Sequence, residues 1–173
     1  MKLLRISIFL IPLAVSLFAQ NKPNPEATPY EKYVITLPAT DRVEILAVRG
    51  LSENERRDVD CHRADIICNG FMPQQIVAAK TLTGADANRI SVRWRKLRRG
   101  NGAGCFAPAY ILRFYQKDEL LLATDVCFHC CNITLPGEGG DGIASMCGDE
   151  SAISDFKDFV MTTLPYPRQE KKP

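Results

Sequence analysis

The sulfurs constrain this chain more than any other feature. Seven cysteines occur among 173 residues, and three of them fall in Asp125-Val126-Cys127-Phe128-His129-Cys130-Cys131-Asn132, at the end of an apolar, strand-like run. The same segment holds one of only two histidines. In an exported chain, such cysteine content reads first as a disulfide framework. The odd count leaves at least one sulfur free, intermolecular or metal-bound, and spacing alone does not give the connectivity.

The expectation of export comes from the N-terminus. Met1-Lys2-Leu3-Leu4-Arg5 is basic, residues 6–18 are apolar, and Ala19-Gln20 follows. That order is the pattern of a secretory signal peptide, and the run is shorter than the ~20 apolar residues of a membrane-spanning helix. Cleavage is expected after Ala19, with Ser16 as the alternative. The chain then divides into a signal segment (1–19), a polar, proline-bearing leader (20–29), one domain (30–165) and a charged tail (166–173). Removing Lys2 and Arg5 lowers the 22 basic residues to 20, the number of acidic ones. A domain of about 150 residues is of common size and large enough to bury a core without help from disulfides.

Two β-prone runs, 33–37 and 43–48, are separated by Pro38 and Asp41, and 75–81 reads as a third. The charged stretch 52–60 is expected to be a surface connection or a short helical turn. Thr83 with Asp86 three residues on has the pattern of a capping box, with Asp for the usual Glu. Ala87, Ile90, Trp94 and Leu97 recur at spacings of three and four, which predicts the apolar face of a helix. Arg89, Arg93, Arg95, Lys96, Arg98 and Arg99 occupy its other side. Cations near a helix C-terminus complement its dipole. With no net positive charge in the mature chain, these are expected to be solvated, and no nucleic-acid partner is expected.

Gly100-Asn101-Gly102-Ala103-Gly104 ends that helix. Tyr110, Leu112 and Phe114 alternate with Ile111, Arg113 and Tyr115, Gln116-Lys117-Asp118-Glu119 turns, and 120–126 returns as the second strand of a hairpin. A short strand (133–135), a loop (136–142) and a helix near 150–164 complete the chain. Ile153, Phe156, Val160 and Leu164 share one face of that helix, and Pro165 and Pro167 stop it. The order predicts an α+β fold, a largely antiparallel sheet with two amphipathic helices packed on one face.

The hairpin also bears on the sulfurs. Pairing about its turn brings Cys105 toward Cys127, so Cys105, Cys127 and Cys130 are expected in one small volume. Either two of them bridge and the third is free, or the third reaches Cys131 or Cys147, or all three hold a metal. Cys61 and Cys68 are spaced to close a separate local bridge, and Cys147 has no assigned partner. Cys127-x-x-Cys130 carries three readings. A redox pair needs one activated thiolate, which His129 could support. Yet redox folds of the thioredoxin type need a long βαβ remainder, and only 43 residues follow Cys130. A zinc site would take both thiolates, Cys105 as third ligand, and His129, His62 or Cys131 as fourth. Against it stand the lack of a second Cys-x-x-Cys and the tendency of exported thiols to oxidise. Structural disulfides with one odd sulfur are the leading reading.

Cys105-Phe106-Ala107-Pro108-Ala109-Tyr110-Ile111-Leu112-Arg113-Phe114-Tyr115, followed by Val126-Cys127-Phe128-His129-Cys130-Cys131-Asn132, resembles a loose group of uncharacterised, mostly exported bacterial proteins. In that group a cysteine precedes a proline and an alternating strand, and a second strand ends in an aromatic-bearing Cys-x-x-Cys with an Asn nearby. The start at Leu82-Thr83-Gly84-Ala85-Asp86 resembles the group as well. The resemblance implies that Cys105, Cys127 and Cys130 belong together and implies no activity. Phe106 stands where histidine is common in the group, which weakens a metal reading that relies on it.

Two spellings carry no weight. Gly137-Glu138-Gly139-Gly140-Asp141-Gly142 fits G-x-G-x-x-G without the strand and helix that the dinucleotide fingerprint requires. Asn132-Ile133-Thr134 is a glycosylation sequon set beside Cys131 in a strand. No catalytic Ser-His-Asp set is present. The sequence therefore points to an exported, cysteine-rich, non-enzymatic domain with an unidentified binding role and no cofactor. The alternative is a zinc-binding or thiol-redox protein centred on Cys105, Cys127 and Cys130.

Overall fold

The computed structural model describes residues 27–68, 72–102, 104–138 and 142–167. The expected signal segment, most of the leader and most of the charged tail lie outside the described residues. A helical turn starting at Pro29 runs into a π-helical segment, Glu31–Ile35. The ordered elements that follow are β1 (Arg42–Gly50), α1 (Glu53–Arg57), β2 (Ile66–Ile67), β3 (Gln74–Thr83), α2 (Gly84–Lys96), β4 (Tyr110–Gln116), β5 (Glu119–Cys127), β6 (Asn132–Thr134), β7 (Ile143–Ser145) and α3 (Glu150–Thr163).

The strands form one curled sheet in the order β2-β3-β1-β4-β5-β6-β7, and every neighbouring pair is antiparallel. The architecture is α+β, as the order of elements predicts. Period-two alternation sets the faces. Val43, Ile45 and Ala47 of β1 pair with Phe114, Leu112 and Tyr110 of β4, and these six join the main core with α2 and α3. Leu46, Val48 and Ile111 point the other way and form a second, smaller cluster with Ile67.

The first predicted strand is a correction. Residues 31–35 are helical, not extended. Thr28 acts as a cap: the Thr28 N–H donates to the Glu31 carboxylate at 2.8 Å, and the Glu31 N–H donates back to Thr28 Oγ1 at 3.2 Å. Pro29 suits the first helical position because its missing N–H has no partner there anyway. Tyr30, Val34 and Leu37 are buried at helical spacing against the core. The indole N–H of Trp94 donates to the Tyr33 carbonyl at 2.8 Å and fixes this turn on α2.

The capping box expected at Thr83 is a second correction. No side-chain hydrogen bond caps α2 there, and Asp86 instead pairs with Arg89 at 3.2 Å. Thr83 is still in β3, paired with Arg42, and Gly84 at φ +55° turns the chain directly into the helix. That left-handed conformation is open to glycine at little cost. Ala87, Ile90, Trp94 and Leu97 are all fully buried, as their spacing requires. Trp94 packs against Phe114 of β4 (5.2 Å between ring centroids) and Phe156 of α3 (5.5 Å).

The basic side of α2 is largely occupied by internal partners. Arg93 pairs with Asp155 at 3.1 Å and lies over the Phe159 ring, Arg95 donates to the Leu37 carbonyl at 3.2 Å, and Arg99 pairs with Glu138 at 2.5 Å. Arg98 donates to the Arg95 and Leu97 carbonyls.

The hairpin turn is tighter than the sequence suggests. Gln116 pairs with Glu119, leaving Lys117 and Asp118 at φ 48° and 65°. Two consecutive positive φ values match the right-handed twist of the strands. The Lys117 N–H donates to the Asp41 carboxylate at 2.8 Å, which ties the turn to the start of β1. Strand β7, just after the 136–142 loop and in residues to which the sequence assigns no element, adds the last rung of the sheet.

Candidate functional site

The open end of the β4–β5 hairpin gathers five sulfurs. Ala109 donates to the Val126 carbonyl at 3.2 Å, just beyond the Tyr110–Val126 pair, so the chain before β4 emerges beside the end of β5. Strand β5 ends at Cys127, residues 128–131 turn, and Asn132 pairs back onto Cys127. The last residue of that turn, Cys131, has φ +54°. A left-handed residue other than glycine costs about 1–2 kcal/mol. The conformation sends the neighbouring Cys130 and Cys131 to different partners.

Cys105 bridges to Cys130 with α-carbons 5.8 Å apart, and Cys131 bridges to Cys147 at 5.5 Å. Cys127 is the free sulfur, and it is buried. The Cys130 N–H donates to Cys127 Sγ at 3.2 Å, so the odd sulfur sits against the backbone of a bridged residue. Cys105, Cys127 and Cys130 thus share one site, and the Cys105 bridge goes to Cys130. The third bridge, Cys61–Cys68, is separate, with its α-carbons 5.7 Å apart.

Close backbone contacts hold the cluster. Asn132 is buried, and its side-chain N–H donates to the Cys105 carbonyl at 2.9 Å. A Cβ on Gly102 would run into the side chains of Asn132 and Ser145, so only glycine lets this segment lie across β6 and β7. Arg98 forms a parallel bridge with Cys147, and the Gly148 N–H donates to the Arg98 carbonyl at 2.8 Å. Phe128, between the cysteines, stacks its ring edge toward Tyr110 (5.9 Å) and meets Phe156 (5.8 Å). His129 is exposed.

With Cys105, Cys130 and Cys131 in bridges, Cys127 is the one of the four that keeps a thiol for a metal. Among the described residues, no group of three or more His, Cys, Asp or Glu is placed to hold a metal ion. His62 lies on the exposed Cys61–Cys68 loop, where its backbone N–H donates to Asp60 at 2.9 Å. The structure does not bring either histidine into the sulfur site as a ligand set.

That loop borders a polar cleft of about 330 Å³ lined by Arg49, Glu55, Asp58, Asp60, Arg63 and Gln75 among others. Arg49 donates to both carboxylate oxygens of Glu55, at 3.0 and 2.6 Å. Those bonds, with the Ser52 cap, hold the Glu55 carboxyl down to about 2.

A buried polar group escaped the sequence reading. Asp125 is buried on β5, and burial raises its carboxyl above the usual range despite hydrogen bonds from Thr134 and Gln74. Gln74 is itself buried, and its Oε1 has no hydrogen-bond partner. The available signal was a carboxylate inside an otherwise apolar strand. Its partners come from β6, the neighbouring strand, and from β3, which is not adjacent to β5 and which the curl of the sheet brings near.

The chain matches no family profile, no curated protein and no solved structure. The site must be judged on its own chemistry. That chemistry is a disulfide-stabilised, cysteine-rich domain with one buried thiol placed beside a bridge.

Proposed function

We propose that the protein is exported and acts as a non-enzymatic binding domain in an oxidising compartment. Its disulfides hold surface loops in place, and the cleft beside Arg49 and Glu55 is the contact surface. The observation that carries this reading is the Cys61–Cys68 bridge. Residues 60–64 of its loop are exposed, so the bridge holds a surface segment in place beside the buried Ile66 and Ile67. A bridge on such an exposed loop persists where thiols are kept oxidised. The basic-then-apolar start of the chain supports the same compartment. So does the resemblance of the Cys105–Pro108 and Cys127–Asn132 motifs to exported bacterial proteins. Among the described residues, no helix is long and apolar enough to cross a membrane.

The test is intact mass and N-terminal sequencing of protein recovered from the extracytoplasmic fraction, without reductant. The expected material starts near Gln20 and carries three bridges and one thiol. Intact Met1 in that fraction would overturn the cleaved signal peptide, and fully reduced thiols would overturn the disulfide-based reading. Zinc at the sulfurs requires at least the Cys105–Cys130 bridge to open, so stoichiometric zinc with that bridge absent in the same sample would put the metal reading in its place.

A further inference from the structure

We propose that Cys105, Cys127 and Cys130 form a thiol–disulfide exchange site, in which the bridge migrates from Cys105–Cys130 to Cys127–Cys130 and frees a solvent-facing thiol at Cys105. The inference goes beyond a binding role. It rests on the observed bridges and not on export or on the cleft.

The geometry is asymmetric in a way that a merely structural odd cysteine does not require. Cys127 and Cys130 are 1 % and 2 % exposed, whereas Cys105 is exposed. Cys127 Sγ is held 3.2 Å from the backbone nitrogen of Cys130. The free sulfur is therefore anchored to the residue that carries the shared sulfur, and the turn between them is short enough for the two to bridge. The competing bridge, Cys131–Cys147, starts from a residue turned aside by its left-handed backbone. Of the two neighbouring bridges, Cys105–Cys130 is the one the Cys127 thiol is placed to attack.

The exchange needs no outside oxidant. The Cys127 thiol loses its proton, and the resulting thiolate attacks Cys130 Sγ. The Cys127–Cys130 bond forms as the Cys105–Cys130 bond breaks. The electron pair leaves on Cys105 sulfur, which takes up a proton from solvent, so the count of disulfides is unchanged. The exposed Cys105 thiolate is then available to a disulfide-bonded partner: it attacks one partner sulfur, forms a mixed disulfide, and the partner's other sulfur leaves as thiolate. The substrate class is an accessible disulfide. The resting protein keeps its outward nucleophile, Cys105, locked in a bridge until the buried Cys127 thiol displaces it.

The test is maleimide labelling of the full, non-reduced chain under native conditions, quenched with acid and mapped by peptide mass. One adduct per chain is expected, on Cys105, with a Cys127–Cys130 bridge in the labelled fraction. Glutathione disulfide, as a small disulfide probe, should give its mixed disulfide at the same position. Cys127→Ser should lower native labelling at least tenfold, because no thiol remains to start the exchange. An adduct on Cys127 with Cys105–Cys130 intact overturns the proposal. So does an absence of native labelling over a period in which the unfolded chain labels fully. Cys105→Ser gives an independent check if Cys127→Ser folds poorly. After oxidative folding it should still contain three bridges, one of them Cys127–Cys130, and two free thiols at those positions would refute the site.

Discussion

Phe156 offers the sharpest test of how the helices are docked. It is fully buried on α3, with its ring centroid 5.5 Å from Trp94 of α2 and 5.8 Å from Phe128 of the sulfur turn. Phe156→Ala empties a site surrounded by packed rings that have little freedom to collapse. Truncating a buried Phe typically costs about 3–5 kcal/mol, and each lost ring pair carries ~0.5–1.5 kcal/mol beyond simple burial. Alanine's better helix propensity returns only about 0.5 kcal/mol. The expected net loss is about 4 kcal/mol, a large share of the ~5–15 kcal/mol that holds a typical domain. Urea unfolding should be followed by the fluorescence of Trp94, the only tryptophan in the chain, alongside far-UV circular dichroism. Phe156→Leu keeps an apolar side chain and most of the volume, and should cost less than about 1.5 kcal/mol. If Phe156→Ala loses under about 1.5 kcal/mol, or no more than the leucine variant, the Trp94-centred packing argument fails.

Four further outcomes are expected. Burial raises the Asp125 carboxyl, so its neutral form is favoured in the fold. The stability this gives is full below the unfolded-state value of about 3.9 and is lost as pH rises through the higher folded-state value. Asp125→Asn should therefore melt above the parent at pH ~8, with the gap closing toward pH ~4, and a lower melting temperature at pH ~8 would contradict this. Removing the bridge over a sequence separation of 16 with Cys131→Ser and Cys147→Ser should cost about 3 kcal/mol in chemical denaturation; a loss below about 1 kcal/mol would show that the chain-entropy estimate does not apply here. Gly148→Ala should destabilise by ~1–3 kcal/mol, because its Cβ would strike the Arg98 and Arg99 carbonyls. Gly50→Ala, with open space around it, should be close to neutral in the same melts.

Much of the fold was legible because its signals are local. The Ala87, Ile90, Trp94, Leu97 face and the alternation around Tyr110, Leu112 and Phe114 depend only on backbone period. The helical turn at Pro29 was equally legible in principle: Thr28-Pro29-Tyr30-Glu31 is a cap, a first-turn proline and a returning carboxylate. The β-branched run at Val34 and Ile35 masked it. Thr83 marked the start of α2 correctly, but its side chain makes no capping bond and Asp86 turns to Arg89 instead. The sulfur partners were legible only as a group. Choosing Cys130 over Cys127 for Cys105 depends on the turn at 128–131 and the left-handed Cys131, and both are set by the pairing of β5 with β6. The Gln74–Asp125 contact was out of reach because it spans non-adjacent strands of the sheet.

The short length of β2 has a consequence for how the protein behaves in a crowded solution. β2 covers β3 only at Gln74 and Gln75, and among the described residues no strand pairs with the outer side of β3 beyond them. Past Ile76, whose N–H donates to the Asp65 carbonyl at 2.8 Å, the strand from Val77 to Thr83 is a long free margin, with Val77 partly exposed along it. Such a margin can template the strands of another molecule and lead to aggregation. Lys80, exposed near the middle, sets an unmatched ammonium where a second copy would have to dock. One charged side chain thus guards the edge and helps to keep a strand-rich molecule from polymerising.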